Sequence, residues 1–134
     1  MGSTAKTLDR RALNRALLAR QHLSRRADIS VAEALERLIA LQAQAAQAAY
    51  FALWTRLEGF APQQLSDRLE DFSLVRGTLM RGTLHLATAK DFAAIRPLIQ
   101  RGLDRFLTEG GVHGRALAGL DPLEVAKAAR DLLR

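Results

Sequence analysis

Three histidines, His22, His85 and His113, are the side chains of this chain best suited to acid–base or metal chemistry, and they are widely scattered. Their spacing fits no ligand pattern, and with no cysteine to complete a set they predict no metal site. The lack of cysteine also excludes disulfides and a thiolate nucleophile. There is no Gly-x-Ser-x-Gly elbow and no glycine-rich loop followed by a phosphate-binding lysine, so no cofactor is predicted. Gly110-Gly111 reads as a flexible connection, and the carboxylate pairs Glu33/Glu36 and Glu70/Asp71 read as solvated helix faces.

Cationic chemistry remains. Residues 1–26 carry Lys6, Arg10, Arg11, Arg15, Arg20, Arg25 and Arg26 against the single acid Asp9. Residues 27–134 hold 13 basic and 13 acidic side chains, so the whole net charge of +6 lies in the first segment. Such a segment suits phosphate contacts, because each neutralised phosphate releases a condensed counterion. Codon bias and targeting can each produce the same pattern. Seventeen of the 20 basic residues are arginine in an Ala- and Leu-rich chain, as codon bias gives, and an acid-poor, Arg-rich start also fits a transit peptide.

The elements that must position these groups are mostly helices. Nearly half of the 134 residues are hydrophobic, enough for a packed core, and no apolar run approaches the roughly 18 residues that cross a bilayer. Residues 1–7 read as a tail. A helix is predicted over Leu8–Leu23, with Leu13, Ala16, Leu17 and Leu23 on one face and Arg11 and Arg15 roughly opposite. Arg25–Ile29 reads as a connection. Ser30 with Glu33 forms a capping box that opens a second helix, expected to reach about Leu41. The Gln- and Ala-rich stretch Gln42–Ala49 is ambiguous, and propensity alone would continue the helix. Continued, it would place Gln42 on the side of Leu35 and Leu38, as a buried amide needing partners. A third helix is predicted over Gln47–Leu57, with Tyr50, Phe51, Trp54 and Leu57 sharing a face, and Gly59 ends it. Pro62 opens a short fourth helix to Glu70 with Leu65 and Leu69 inward.

Leu74–Thr88 then changes period. It holds a small repeat, Arg76-Gly-Thr-Leu79 and Arg81-Gly-Thr-Leu84, and reads as two strands with a turn at Arg81-Gly82. A helix follows over about Lys90–Phe106, then a loop at Glu109–Gly114, and Asp121-Pro122 opens a last helix. The predicted fold is mainly α: a winged helix-turn-helix with a short β-hairpin wing, plus the start of a second helical unit. The expected divisions are a tail at 1–7, a winged-helix domain at 8–107, a linker at 108–120 and an opening helix at 121–134. That last helix carries an apolar stripe of Val125, Ala128, Ala129 and Leu132 with little to cover it, so further elements are expected beyond Arg134.

A helix-turn-helix with a wing suits double-stranded DNA, with a helix in the major groove and wing residues on phosphates or in the minor groove. Gln63, Gln64 and Arg68 would face outward from the fourth helix, Arg76 and Arg81 would sit on the wing, and Arg11 and Arg15 would add backbone contacts. Winged helices also serve as protein-interaction modules, and the candidate recognition helix is not especially basic.

Several stretches resemble one family when taken in order: Leu13-Asn-Arg-Ala-Leu-Leu-Ala-Arg-Gln-His-Leu23, Leu41-Gln-Ala-Gln-Ala45, Tyr50 with Leu53-Trp-Thr-Arg-Leu-Glu-Gly-Phe60, and Leu79-Met-Arg-Gly-Thr-Leu-His-Leu86. They look like the start of bacterial winged-helix DNA glycosylases of the AlkZ and YcaQ type, which remove alkylated bases and unhook interstrand crosslinks. The resemblance runs from about Leu8 to Phe106. It implies a bacterial cytoplasmic protein, associated with the nucleoid when bound. The family motif of two glutamines around a small or apolar residue matches Gln42-Ala43-Gln44, which the resemblance makes catalytic. Glutamine is no general base at neutral pH, but its amide both donates and accepts. A pair can hold water against the sugar carbon while a cationic N7-alkylated guanine departs.

Family members build a channel from about three tandem winged-helix units, and only the first is complete here. The resemblance therefore implies weak activity or none for this chain without the C-terminal units or an equivalent partner surface. A non-catalytic winged-helix regulator and a protein-interaction module remain as alternatives.

Overall fold

The computed structural model describes residues 7–108, 114 and 119–133. Residues 1–6 of the predicted tail and most of the predicted loop over 109–114 lie outside them.

Helix α1 (Arg10–Arg20) begins at Asp9, whose Oδ1 accepts from the Ala12 amide at 2.6 Å. The predicted leucine stripe is there but stays uncovered: no residue of the helix is buried, and Leu17 is 61% exposed. The connection after α1 is tied down by a parallel bridge between Ala27 and Leu57, with Ala27 N–H donating to Arg56 O at 2.8 Å.

Helix α2 (Val31–Leu38) has half of its predicted capping box. Ser30 Oγ accepts from the Glu33 amide at 3.2 Å, while the Glu33 carboxylate turns to Arg37 at 2.7 Å. Val31, Ala34 and Leu35 are buried as the stripe requires. The helix stops at Leu38, short of the predicted Leu41, because Ile39 takes φ 69 and ψ −50. That is the positive-φ γ-turn region, sparsely populated and strained for a β-branched residue. The chain leaves it as a short strand, β1 (Leu41–Gln42), so Gln42 is an exposed strand residue rather than a buried helical amide. Ile39→Gly is expected to raise the melting temperature by a few degrees. It removes about 1–2 kcal/mol of positive-φ strain against about 0.5–1 kcal/mol of glycine entropy. A lower melting temperature in thermal denaturation would show that Ile39 is not strained.

Helix α3 (Ala46–Trp54) follows, and its buried row is not the aromatic one. Ala49 and Leu53 are buried, and Leu57 beyond the helix continues that row. Phe51 and Trp54 are 68% and 52% exposed, while Tyr50 is half-buried. The small Ala49 lets the helix backbone lie close to the core, which turns the large aromatics outward. Gly59 takes φ 61 after the helix, as its role as a stop requires. Helix α4 (Pro62–Glu70) has the predicted limits, with Leu65 fully buried and Leu69 packed at the core edge.

Strands β2 (Leu74–Thr78) and β3 (Leu84–Thr88) form the predicted hairpin. Its tip turns at Arg81 and Gly82, φ 55 and 70, and Thr83 N–H closes the turn on Met80 O at 3.3 Å. Two consecutive positive φ values are what a type I′ turn needs. The sequence did not predict the third strand: β1 joins β3 on its free edge, giving an antiparallel sheet of order β1-β3-β2. Leu35, Leu53, Leu65, Leu74 and Leu86 are fully buried where the helices meet the sheet. Each contributes roughly 1.5–3 kcal/mol.

Helix α5 (Ala89–Thr108) and helix α6 (Pro122–Leu132) complete the described elements. Thr88 Oγ1 accepts from Asp91 N–H at 3.1 Å at the start of α5, and Asp121 Oδ1 accepts from Leu123 N–H at 2.9 Å at the start of α6. Two compact units divide the chain, Met1–Ile95 and Arg96–Arg134, and the division falls inside α5 beside Pro97. None of the described residues of α6 is buried. The protein is thus mainly helical, with one small antiparallel sheet among the described residues.

Candidate functional site

Gln42-Ala43-Gln44 lies at the open edge of the sheet. In register, Leu41 faces Leu86 and Gln42 faces His85, which itself faces Gly77 of β2. Residues paired in this way project from the same face of a sheet. The exposed Gln42 side chain therefore stands beside the buried imidazole of His85. His85 Nδ1 lies 2.9 Å from Thr83 O. A carbonyl can only accept, so Nδ1 is the donor in this pair.

The two glutamines differ. Ala43 N–H donates to Leu84 O at 2.8 Å, and Leu84 N–H donates to the Gln44 side chain at Oε1, 3.0 Å away. The carboxamide oxygen of Gln44 is thereby engaged, leaving its NH₂ as a donor. From β2, Arg76 Nε donates to Ala43 O at 2.9 Å and its Nη2 to Gln44 O at 3.0 Å. The Gln42 side chain has no such hydrogen bond among the described residues.

The other sequence-derived candidates are spread over three elements. Arg11 and Arg15 are exposed on α1, and Arg81 is exposed at the hairpin tip. On α4, Gln63 Nε2 donates to Asp67 Oδ1 at 2.8 Å, and Gln64 Oε1 accepts from Ala61 N–H at 3.0 Å to cap the helix. Arg68 is half-buried and lines a groove with Ser30, Val31, Gln64, Asp67 and Asp71. Hydrogen bonds from Ser73, side chain and then backbone, hold the Asp71 carboxyl below the usual carboxylate range. Asp67 and Asp71 thus place negative charge beside Arg68 in that groove. Arg76 stands on the hairpin as predicted, with its guanidinium committed to Ala43 and Gln44.

The family model for DNA glycosylase AlkZ-like proteins matches residues 35–134, most of the chain and all of the glutamine segment. The chain belongs to the AlkZ-like DNA glycosylase family. Among solved structures, it is similar to the DNA glycosylase AlkZ of Streptomyces sahachiroi, with a TM-score of 0.65 and 24% identity. That likeness covers 85% of this chain and 30% of the AlkZ chain. No curated protein matches.

In this AlkZ-like chain, the sequence missed the pairing of Gln42 with His85. Spacing of histidines along the chain is blind to a partner across strands. The sequence also missed an apolar cleft of about 470 Å³ lined by Gln47, Tyr50, Phe51, Trp54, Phe60 and Pro62. Beside it, the Arg26 guanidinium stacks on Trp54, 4.5 Å from the ring centre. Burial lowers the basicity of Arg56, whose Nη1 donates to Ala52 O at 2.8 Å across the end of α3. Among the described residues no cluster of three His, Asp or Glu side chains could hold a metal, and no helix is long and apolar enough to cross a membrane.

Proposed function

We propose that this chain is a winged-helix DNA-binding module carrying the glutamine pair of a glycosylase that hydrolyses the N-glycosidic bond of alkylated or crosslinked purines. One observation carries this reading: in a member of the AlkZ-like family, the Gln42 side chain, without a hydrogen bond among the described residues, projects from a sheet edge whose next two residues are fixed by side-chain hydrogen bonds. An unengaged amide on a held backbone can meet a ligand without first breaking an internal bond, which is the condition for preorganised electrostatic support.

The chemistry asks little of the protein. Water attacks the anomeric carbon, and the bond to the base nitrogen breaks with its electron pair leaving on the base. An N7-alkylated guanine is cationic and departs neutral, so no acid is needed. The water loses its proton to solvent. Gln42 orients that water through its carbonyl and faces the developing sugar cation with the same dipole, while the Gln44 NH₂ offers a second polar contact.

In this reading α3 and α4 form the helix-turn-helix, β2 and β3 form the wing, and Arg11, Arg15 and Arg81 meet phosphates. Gln63, Gln64 and Arg68 would face the groove, where the acids of α4 weaken any purely electrostatic attraction. Because the likeness spans 30% of the AlkZ chain, this chain by itself is proposed to release base slowly.

Binding to duplex DNA is tested by salt titration. The logarithm of affinity should fall linearly with log salt, by about 0.9 per phosphate neutralised, and Arg11→Ala with Arg15→Ala should flatten the slope by nearly 2. A flat response in the wild-type chain would overturn DNA binding. It would favour the protein-interaction reading, which the uncovered apolar faces of α1 and α6 support.

A further inference from the structure

We propose that Arg76 is a positioning residue that locks the Gln42-Ala43-Gln44 segment, and not primarily a phosphate ligand. The inference rests on Gln42 and Gln44 being the chemical pair. Opposed residues in a hydrogen-bonded antiparallel pair exchange two backbone bonds. Between Ala43 and Leu84 only one is made, from Ala43 N–H to Leu84 O. The return bond from Leu84 N–H goes to the Gln44 side chain, and the Ala43 carbonyl is met by Arg76 Nε. Two side chains thus replace the backbone at the point where the ladder ends.

The geometry requires a fork. Successive carbonyls of a regular strand point in opposite directions, yet the Ala43 and Gln44 carbonyls both reach one guanidinium. The chain must therefore turn between them, and Arg76 selects that turn by binding both oxygens at once. Its own strand is two places away with β3 between, since Arg76 and Leu41 both pair with Leu86, so the side chain crosses β3 to get there. Nothing local does the same work: Ala45, which opens α3, supplies no side-chain cap. Gln42 is thus held from both ends, by the Ile39 turn before it and the Arg76 fork after it. A lysine offers one point of donation where the arginine offers two in a plane.

The test compares the full wild-type chain with Arg76→Ala and Arg76→Lys. Three quantities are read: amide hydrogen exchange at Ala43 and Leu84, the salt slope of duplex binding, and single-turnover release of N7-methylguanine at saturating protein. In Arg76→Ala, exchange at both amides should quicken by about tenfold or more, as loss of a hydrogen bond to a charged group implies. The saturated release rate should fall by a similar factor while affinity and salt slope hold. Arg76→Lys should fall between, and it carries the comparison if the alanine variant unfolds. A salt slope lower by about 0.9 with exchange and rate unchanged would make Arg76 a phosphate contact and overturn the proposal. If the wild-type chain releases no base, exchange and salt slope still decide whether Arg76 locks the segment.

Discussion

Gln42→Ala is expected to lower the saturated rate of base release by about 10²–10³-fold, the usual effect of removing one preorganised polar group from a site of developing charge. Its melting temperature should stay within about a degree, because an exposed side chain without a hydrogen bond among the described residues contributes little to stability. Gln44→Ala should behave differently. It frees the Leu84 amide, so the rate should fall together with a loss of about 0.5–1.5 kcal/mol in stability. Single-turnover kinetics and thermal denaturation on the same two variants separate the roles. Equal stability losses in both would contradict the assignment of Gln42 as the free member and Gln44 as the anchored one.

Gly77→Ala is expected to destabilise the protein by about 1–3 kcal/mol, the common cost of overpacking a filled site. A methyl group at Gly77 would lie 2.7 and 2.8 Å from two ring carbons of Phe92, closer than carbon atoms approach. The ring occupies the place a side chain would take, on the face of the sheet that carries His85 and Gln42. Phe92→Leu alone leaves a gap, but combined with Gly77→Ala it should restore part of the loss. Chemical denaturation of both single variants and the double variant closes the cycle. Strict additivity would mean that the ring and the glycine do not depend on each other.

The same sheet shows how much of the fold is legible in the sequence. The Arg76–Leu86 hairpin announces itself through its Arg-Gly-Thr-Leu repeat and the paired φ demands of Arg81-Gly82, both local signals. Pro62 and Asp121 do the same for the starts of α4 and α6. The third strand is hidden because Gln42–Ala49 has good helix propensity, and only the strained turn at Ile39 stops α2. Nothing in an isoleucine's own preferences advertises positive φ, so tertiary packing decides it. The face of α3 is hidden for a related reason. Large aromatics favour a core, yet Ala49 and Leu53 define the buried row and Phe51 and Trp54 face out.

The candidate site is half legible. Resemblance points to Gln42 and Gln44, but their division of labour needs the register of β1 on β3. Arg76 illustrates the limit of reading charge alone. As a cation on a hairpin it suggests phosphate, whereas the fold commits its two donors to carbonyls 32 and 33 residues away in sequence. Long-range hydrogen bonds of this kind leave no periodicity to detect.

The central claim is that the glutamine pair does the chemistry, and base release measures it most directly. Excess chain is incubated with duplex DNA holding a single N7-methylguanine, and free base is followed beside a protein-free control. Slow release above the control is expected from the wild-type chain, returning to the control rate when Gln42→Ala and Gln44→Ala are combined. Release that survives the double substitution would contradict the claim.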